Sequence, residues 1–123
     1  MADGSLTYNI GGQLLNNGET VVFLTSQITL AVGQEFTHQS YLALSAGEAA
    51  LGLGGVANPS AIWIRNLDDT NFVDILSGTG GSVAVRVFPA TTCFVGWVAA
   101  VAPYILANTA NVLVDYIVFD TIA

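Results

Sequence analysis

Residues 61–76 read AIWIRNLDDTNFVDIL, two short apolar stretches that are separated by a polar turn. The first stretch alternates between two kinds of side chain, in the order Ile62, Trp63, Ile64, Arg65. A period of two places alternate side chains on opposite faces of a β-strand. The second stretch alternates in the same way, and the Asn and Asp residues between the two favour a turn, so the pattern predicts a β-hairpin.

Comparable stretches recur along the chain, separated by turns that contain Gly, Pro, Asn or Asp. They cover residues 20–32, 35–45, 82–88, 92–101, 103–107 and 110–119. Residues 46–55, AGEAALGLGG, are the one segment that favours a helical turn, and their glycines oppose it. The sequence therefore predicts an all-β fold, an antiparallel β-sandwich of about eight strands that is jelly-roll-like, with a small closed barrel as the alternative.

The chain is 123 residues long, which suits one domain with a single hydrophobic core. It contains no linker segment and no repeat at a fixed period. We predict one β-sandwich domain over residues 1–123, with residues 1–4 as a loose N-terminal arm that could reach a neighbour in an assembly. Thr20–Val32 is predicted as one long or bent strand, or as a hairpin.

The composition is unusually apolar for a soluble protein. Apolar residues make up 53% of the chain and charged residues 9%, against roughly 25% charged residues in typical soluble domains. A membrane-spanning helix needs about 20 apolar residues, and the nearest candidate, Cys93–Ala107, is too short and contains Gly96 and Pro103. We therefore predict no membrane association but an obligate homo-oligomer, for example a trimer, or a lattice component whose apolar surface is buried against other chains.

The net charge limits the expected binding partners of the protein, and the N-terminal sequence limits its expected cellular location. Two arginines and no lysine against nine acidic residues give a formal net charge of −7, which opposes contact with nucleic-acid phosphates. The start of the chain, MADGSLTYNI, has no basic segment followed by an apolar run, so synthesis in the cytoplasm without a signal peptide is expected. Cys93, the single cysteine, is expected to be a small buried hydrophobe.

Catalysis would need groups that the sequence does not bring together. The single histidine, His38, lies in no nucleophile motif such as G-x-S-x-G. Asp68, Asp69 and Asp74 could act as acid and base or hold Ca²⁺, but they lack the spacing and the distal glutamate of a calcium-binding loop. A solvated turn is the preferred interpretation, so we predict no enzymatic activity, no catalytic residue, no cofactor and no metal site.

Six residues are candidates for an interface with other subunits. They are Trp63, Arg65, Arg86, Phe88, Trp97 and Tyr104. Aromatic side chains anchor interfaces, and guanidinium groups suit ion pairs across them, although a solvated strand face explains the two arginines equally well. Two tryptophans and three tyrosines could instead stack on sugars, which keeps a carbohydrate-binding module as an alternative: Trp63, Trp97, Tyr8, Tyr41 and Tyr104.

Three segments of the chain resemble small virion proteins of tailed bacteriophages. These segments are AIWIRNLDDTNFVDIL, the later VRVFPA, and the closing VLVDYIVFD. The shared features are short apolar strands, the NLDDTNFV turn, and a terminal strand that mixes acidic and apolar residues. The resemblance covers Ala61 to Asp120, about the C-terminal half of the chain.

The resemblance implies that the chain functions in assembly and has no catalytic residues, because such proteins are β-rich decoration, cement or tail-associated components. We expect a capsid decoration or cement protein that oligomerises, binds the major capsid protein across joints between its subunits, and stabilises the shell. A tail, baseplate or fibre subunit is the alternative. The expected location is the virion, after synthesis in the cytoplasm of the host bacterium.

Overall fold

The computed structural model describes residues 4–9, 12–16, 18–23, 27–32, 36–98 and 101–120. These residues form β-strands that are joined by turns and irregular segments. The strands are β1 (Gly4–Asn9), β2 (Gly12–Asn16), β3 (Glu19–Phe23), β4 (Gln27–Val32), β5 (Phe36–Ala43), β6 (Ala49–Ala50), β7 (Pro59–Asn66), β8 (Val73–Leu76), β9 (Val83–Val87), β10 (Thr92–Gly96), β11 (Tyr104–Ala107) and β12 (Val112–Asp120).

The strands β5 to β12 form two four-stranded antiparallel sheets. The first sheet has the order β10-β7-β12-β5, and the second has the order β6-β11-β8-β9. Buried apolar side chains from both sheets form one hydrophobic core between them. The predicted all-β fold, an antiparallel β-sandwich built from about eight strands, is therefore confirmed.

The pairing of the sandwich strands is nested along the chain. β5 pairs with β12, β6 with β11, β7 with β10, and β8 with β9. Successive pairs fall alternately in the first and the second sheet. The pairing of β12 with β7 joins the two pairs of the first sheet, and the pairing of β11 with β8 joins the two pairs of the second sheet. The chain from β5 to β12 is thus arranged as one long antiparallel ribbon that is rolled into two layers.

The core is built from side chains at every second strand position, as the sequence alternation predicts. In β12 the buried residues are Val112, Val114, Tyr116 and Val118. Burial of each such apolar side chain contributes roughly 1.5–3 kcal/mol of favourable transfer free energy. The Tyr116 hydroxyl donates a hydrogen bond to the carbonyl of Gly52 at 2.7 Å, so its polar atom is satisfied despite burial.

The β-hairpin predicted over residues 61–76 is wrong, because β7 and β8 lie in different sheets. The buried side chain of Asn66 holds the connection between them. Its Nδ2 donates to the carbonyls of Asn71 at 2.9 Å and Val87 at 3.1 Å, and its Oδ1 accepts from the N–H of Asp68 at 2.8 Å. These bonds hold the turn in which the chain passes from one sheet to the other, so β7 and β8 do not pair with each other.

The first four strands form an N-terminal ribbon outside the two large sheets. β1 pairs with β4 and β2 pairs with β3, both antiparallel, so the strands nest like the arms of one hairpin. We call β2 and β3 the tip of this ribbon. The segment Thr20–Val32, predicted as one strand or a hairpin, is thus divided between β3 and β4. In the predicted loose arm, Gly4 begins β1, and residues 1–3 lie outside the described residues.

The N-terminal ribbon meets the outer face of the first sheet. The ring of Tyr8 in β1 lies 4.7 Å, centroid to centroid, from the ring of Phe94 in the edge strand β10. β4 ends at Val32, close in sequence to Phe36, the first residue of β5 at the opposite edge of that sheet. The ring contact therefore joins β1 of the ribbon to the edge strand β10 of the sandwich.

Candidate interaction surface

The outer face of the first sheet carries three leucines side by side, which we call the leucine row. Leu113 is the register partner of Leu42, and its carbonyl accepts the N–H of Leu67 at 3.0 Å. The three residues are 48% (Leu42), 45% (Leu67) and 46% (Leu113) exposed. Adjacent large apolar side chains with this exposure form a continuous apolar patch, which is typical of a surface that another protein covers.

A polar row lies next to the leucine row on the same face. Arg65 in β7 and Asp115 in β12 are register partners. Asp115 is bonded instead to His38 of β5, with 2.9 Å between Oδ1 and Nε2. Arg65 is exposed, and its side chain has no hydrogen-bond or ion-pair partner in the part of the chain that the structure describes. An uncommitted guanidinium therefore stands beside the apolar patch.

The other half of this face is aromatic and is partly covered by the ribbon. Trp63, Phe94 and Phe119 are half-buried, and the rings of Phe94 and Phe119 lie 6.4 Å apart. Tyr8 packs on Phe94 from the ribbon side. Phe36 at the β5 edge stays 63% exposed. Tyr8 thus covers part of the aromatic half, whereas the three leucines of the leucine row stay nearly half exposed.

Of the six predicted interface residues, Trp63 and Arg65 lie together on this face, whereas Arg86 lies in the second sheet. The Nε of Arg86 donates to Oδ1 of Asp74 at 2.8 Å, and a terminal nitrogen donates to Oδ2 at 3.0 Å. The hydrogen bond to Asp74 raises the pKa of Arg86 above its ordinary value. The guanidinium carbon also lies 3.9 Å from the ring centroid of Phe72, so Arg86 is engaged within its own chain.

The remaining three predicted residues lie on separate surfaces. Tyr104 belongs to β11 in the second sheet, and Phe88 is exposed just after β9. The indole of Trp97 donates to the carbonyl of Val101 at 2.7 Å. Trp97 also lines an open apolar groove of about 230 Å³ between the edge strands β9 and β10. These aromatic side chains therefore do not share one surface with Trp63.

The three aspartates that could have formed an acid–base or calcium site are not brought together. Oδ2 of Asp68 accepts the backbone N–H groups of Thr70 at 3.1 Å and Asn71 at 2.5 Å, which lowers the pKa of this carboxyl. Asp74 is paired with Arg86. Across the described residues, no group of three or more His, Cys, Asp or Glu side chains is arranged to hold a metal ion.

The leucine row is the part of the surface that the sequence did not reveal. Its members are far apart along the chain, and Leu67 falls in a segment that was predicted to be a hairpin turn. The available signal was the alternation in β5, which places Leu42 on the same face as His38 and Phe36. Only the register of the sheet shows that three exposed leucines meet.

The described residues include no helix with the length and hydropathy of a membrane span. Comparison of the chain with protein-family models, with curated proteins and with solved structures gives no match. The role of this surface is therefore inferred from its own side chains and geometry.

Proposed function

We propose that the chain is a structural subunit of a larger assembly, in which the outer face of the first sheet binds copies of the chain and neighbouring subunits. The leucine row is the observation that carries this proposal. Its three leucines are nearly half exposed, and they lie side by side on the outer face of the first sheet. With only 9% charged residues, the chain has few groups to solvate such a face in a monomer.

The assembly that we propose is the virion of a tailed bacteriophage, with the chain as a capsid decoration or cement protein. The sequence resemblance over residues 61–120 supports this, and it covers the sandwich strands from β7 to β12. The nested strand pairing also supports the finer description of the sandwich as a jelly roll. Jelly rolls include viral capsid domains as well as lectins, so the fold agrees with this role without requiring it.

The mechanism of such a protein is mass action. A subunit that binds only the assembled shell stabilises the shell relative to its free subunits, by about 2.7 kcal/mol per site at 100 times the dissociation constant. The leucine row would supply apolar burial, and Arg65 would supply a polar contact that fixes orientation. Neither contribution requires a catalytic group or a cofactor.

The first test places the protein in a particle. Purified virions are separated into capsids and tails, and the chain is followed by mass spectrometry. We expect it in the capsid fraction, and we expect shells that lack it to open at a lower temperature. Recovery with tails would support the alternative of a tail, baseplate or fibre subunit, and absence from particles would contradict the virion role.

The second test measures the solution mass of the purified chain by light scattering, over a range of concentrations. The monomer mass is 12.8 kDa, and we expect a multiple of it. Leu113→Ser should weaken association by roughly tenfold or more, because it removes apolar area from the centre of the leucine row. Val83→Ser is the matched control, because Val83 is 49% exposed but belongs to the second sheet.

A further inference from the structure

We propose that the leucine row binds the leucine row of a second copy of the chain across a two-fold axis, with Arg65 of each copy paired to Asp69 of the other. This inference rests on the proposed function and names the partner of this surface. The contact is isologous, because the same residues of both copies form it. The two copies lie face to face over their leucine rows and extend from this contact in opposite directions.

The leucine row lies at one end of the first sheet, where such an overlap is possible. Leu42 is the last residue but one of β5, Leu67 follows the last residue of β7, and Leu113 is the second residue of β12. Phe94, on which Tyr8 packs, lies further from this end of the face. Two copies that overlap only at their leucine ends therefore leave the part of the face that Tyr8 covers outside the contact.

The charges along β7 and the turn that follows it are arranged around the leucine row. Arg65 stands two residues before Leu67, and Asp69 stands two residues after it. Both charged residues are exposed, and the Arg65 side chain has no hydrogen-bond or ion-pair partner among the described residues. Because β7 ends at Asn66 and the chain runs on past Leu67, Asp69 lies beyond the leucine row, on the side away from Arg65. The order along this part of the face is cation, leucine, carboxylate.

This order selects the partner. A surface that covers the leucine row should place a carboxylate opposite Arg65 and a cation opposite Asp69, with apolar side chains between them. The same surface of a second copy, rotated by a half-turn about an axis along the leucine row, presents these groups in this order. The chain has only two arginines, and Arg86 is bonded to Asp74, so Arg65 is the cation that is available for this pairing.

The middle strand of the contact is complementary to itself under the same rotation. In β12 and the residue before it, Asn111 and Asp115 stand two residues on either side of Leu113. The rotation brings Asp115 of one copy opposite Asn111 of the other. Asp115 uses Oδ1 to bind His38, and Asn111 uses Oδ1 to accept the N–H of Ser45 at 3.2 Å. The second carboxylate oxygen can thus accept a hydrogen bond from the Nδ2 group of the amide.

The third strand adds apolar area and no charge. In β5 and the residue after it, Ser40 and Leu44 stand two residues on either side of Leu42, and Leu44 is 43% exposed. The rotation places Ser40 of one copy opposite Leu44 of the other, so no like charges meet on this strand. Burial of the leucines supplies the affinity. The exposed ion pairs add little to it and set the alignment of the two copies.

Mixing two charge-reversed chains tests the pairing. In Arg65→Asp the contact would bring carboxylates together, and in Asp69→Arg it would bring guanidinium groups together. Each variant alone should therefore associate several-fold more weakly than the wild type, measured by light scattering at matched concentrations. A mixture of the two variants places opposite charges at both positions, so it should associate several-fold more tightly than either variant alone.

The matched control for this exchange of charge is Glu48→Arg. Glu48 precedes β6 of the second sheet and accepts hydrogen bonds from the side chain of Thr79 and the N–H of Gly80. The substitution changes the net charge as Asp69→Arg does, but at a site outside the contact. It should associate like the wild type. A loss equal to that of Asp69→Arg would show that net charge, and not the pairing with Arg65, controls association.

Chemical cross-linking gives a second readout that reports proximity. Arg65→Cys and Asp69→Cys are each made in a chain that also carries Cys93→Ala, so that the introduced thiol is the only one. The two variants are mixed and treated with a bismaleimide reagent, which joins two thiols. A mixed dimer still has one pair of Arg65 with Asp69, so we expect it in higher yield than the cross-linked dimer of either variant alone.

The outcomes separate this contact from the proposed function. If mixing restores no association and the mixed dimer is not the preferred cross-linked product, the two-fold contact is wrong. A wild-type chain that is monomeric at every concentration would also overturn it. In both cases the proposed function stands if the chain is found in the capsid fraction of virions. A chain that is monomeric and absent from particles would overturn the proposed function itself.

Discussion

The ring of Tyr8 lies against the ring of Phe94, with centroids 4.7 Å apart and planes inclined by 32°. Phe119 extends this cluster, with its ring 6.4 Å from that of Phe94. The contact joins two parts of the fold. One is the ribbon, whose strands pair only with each other, and the other is the sandwich, in which strands far apart in sequence pair, as β5 does with β12. This ring pair is therefore the described contact through which β1 packs on the edge strand β10.

Replacing Tyr8 should release the ribbon while leaving the sandwich folded. Tyr8→Ala removes an aromatic pair worth about 0.5–1.5 kcal/mol beyond its area burial. One to two kcal/mol corresponds to a change of about 5–30-fold in the opening equilibrium, so amide exchange in β1 and β4 should accelerate by about that factor. Tyr8→Phe keeps the ring and should exchange like the wild type. Equal rates in all three chains would show that the contact does not hold the ribbon.

Arg86 should be needed for the stability of the second sheet. Arg86→Ala leaves Asp74, whose side chain is 9% exposed, as an unpaired buried carboxylate. Arg86→Lys keeps a charge but loses the two-pronged hydrogen bond, so thermal unfolding should follow the order wild type, Lys, Ala from highest to lowest midpoint. The double variant Arg86→Met with Asp74→Leu should recover much of the loss, because it removes both charges. A midpoint for Arg86→Ala equal to that of the wild type would contradict a structural role for the pair.

The strands of the sandwich were predictable because their apolar residues alternate, as Ile62 and Ile64 do in β7. The strand with which each one pairs was not predictable from this alternation. The turn chemistry after Asn66 suggested a local hairpin, but this side chain is buried and bonds to the carbonyls of Asn71 and Val87, which directs the chain into the other sheet. A local signal for the tip was present in the Asn17-Gly18 dipeptide, since Gly18 adopts the positive φ of 83° that two-residue hairpin turns favour.

The candidate surface was only partly predictable for the same reason. Trp63 and Arg65 were identified because they share a face of one strand, which alternation alone reveals. Leu42 and Leu113 become neighbours only through the pairing of β5 with β12. Arg86 was expected to face a partner subunit, and its bond to Asp74 depends on the pairing of β8 with β9, which sequence alternation does not specify.

Protonation of the Asp68 carboxyl in its loop should make the protein less stable in acid. Backbone N–H groups of Asn71 and, to a lesser degree, Thr70 lower its pKa from the ordinary value of 3.8. The folded state thus binds this proton less tightly than the unfolded state, so the stabilisation is present above pH 3.8 and is lost as the pH falls through the lowered pKa. An NMR titration of the side-chain carboxyl should give a midpoint below 3.8, and a midpoint at or above that value would refute the role of the loop. Asp68→Asn should flatten the dependence of stability on pH in this window more than Asp69→Asn, which spares both backbone hydrogen bonds.

The buried amide of Asn66 should be the most sensitive polar group in the connection between the sheets. Asn66→Ala leaves the carbonyls of Asn71 and Val87 and the N–H of Asp68 without this partner. Buried groups that lose their hydrogen bonds cost about 1–3 kcal/mol each, partly offset where water enters, so we expect a loss of about 2–4 kcal/mol in urea unfolding. Asn111→Ala is the matched control: this exposed amide accepts one hydrogen bond, from the N–H of Ser45 at 3.2 Å, and its loss should cost about 0.5 kcal/mol. Similar losses for the two variants would mean that the Asn66 bonds do not hold β7 and β8 in separate sheets.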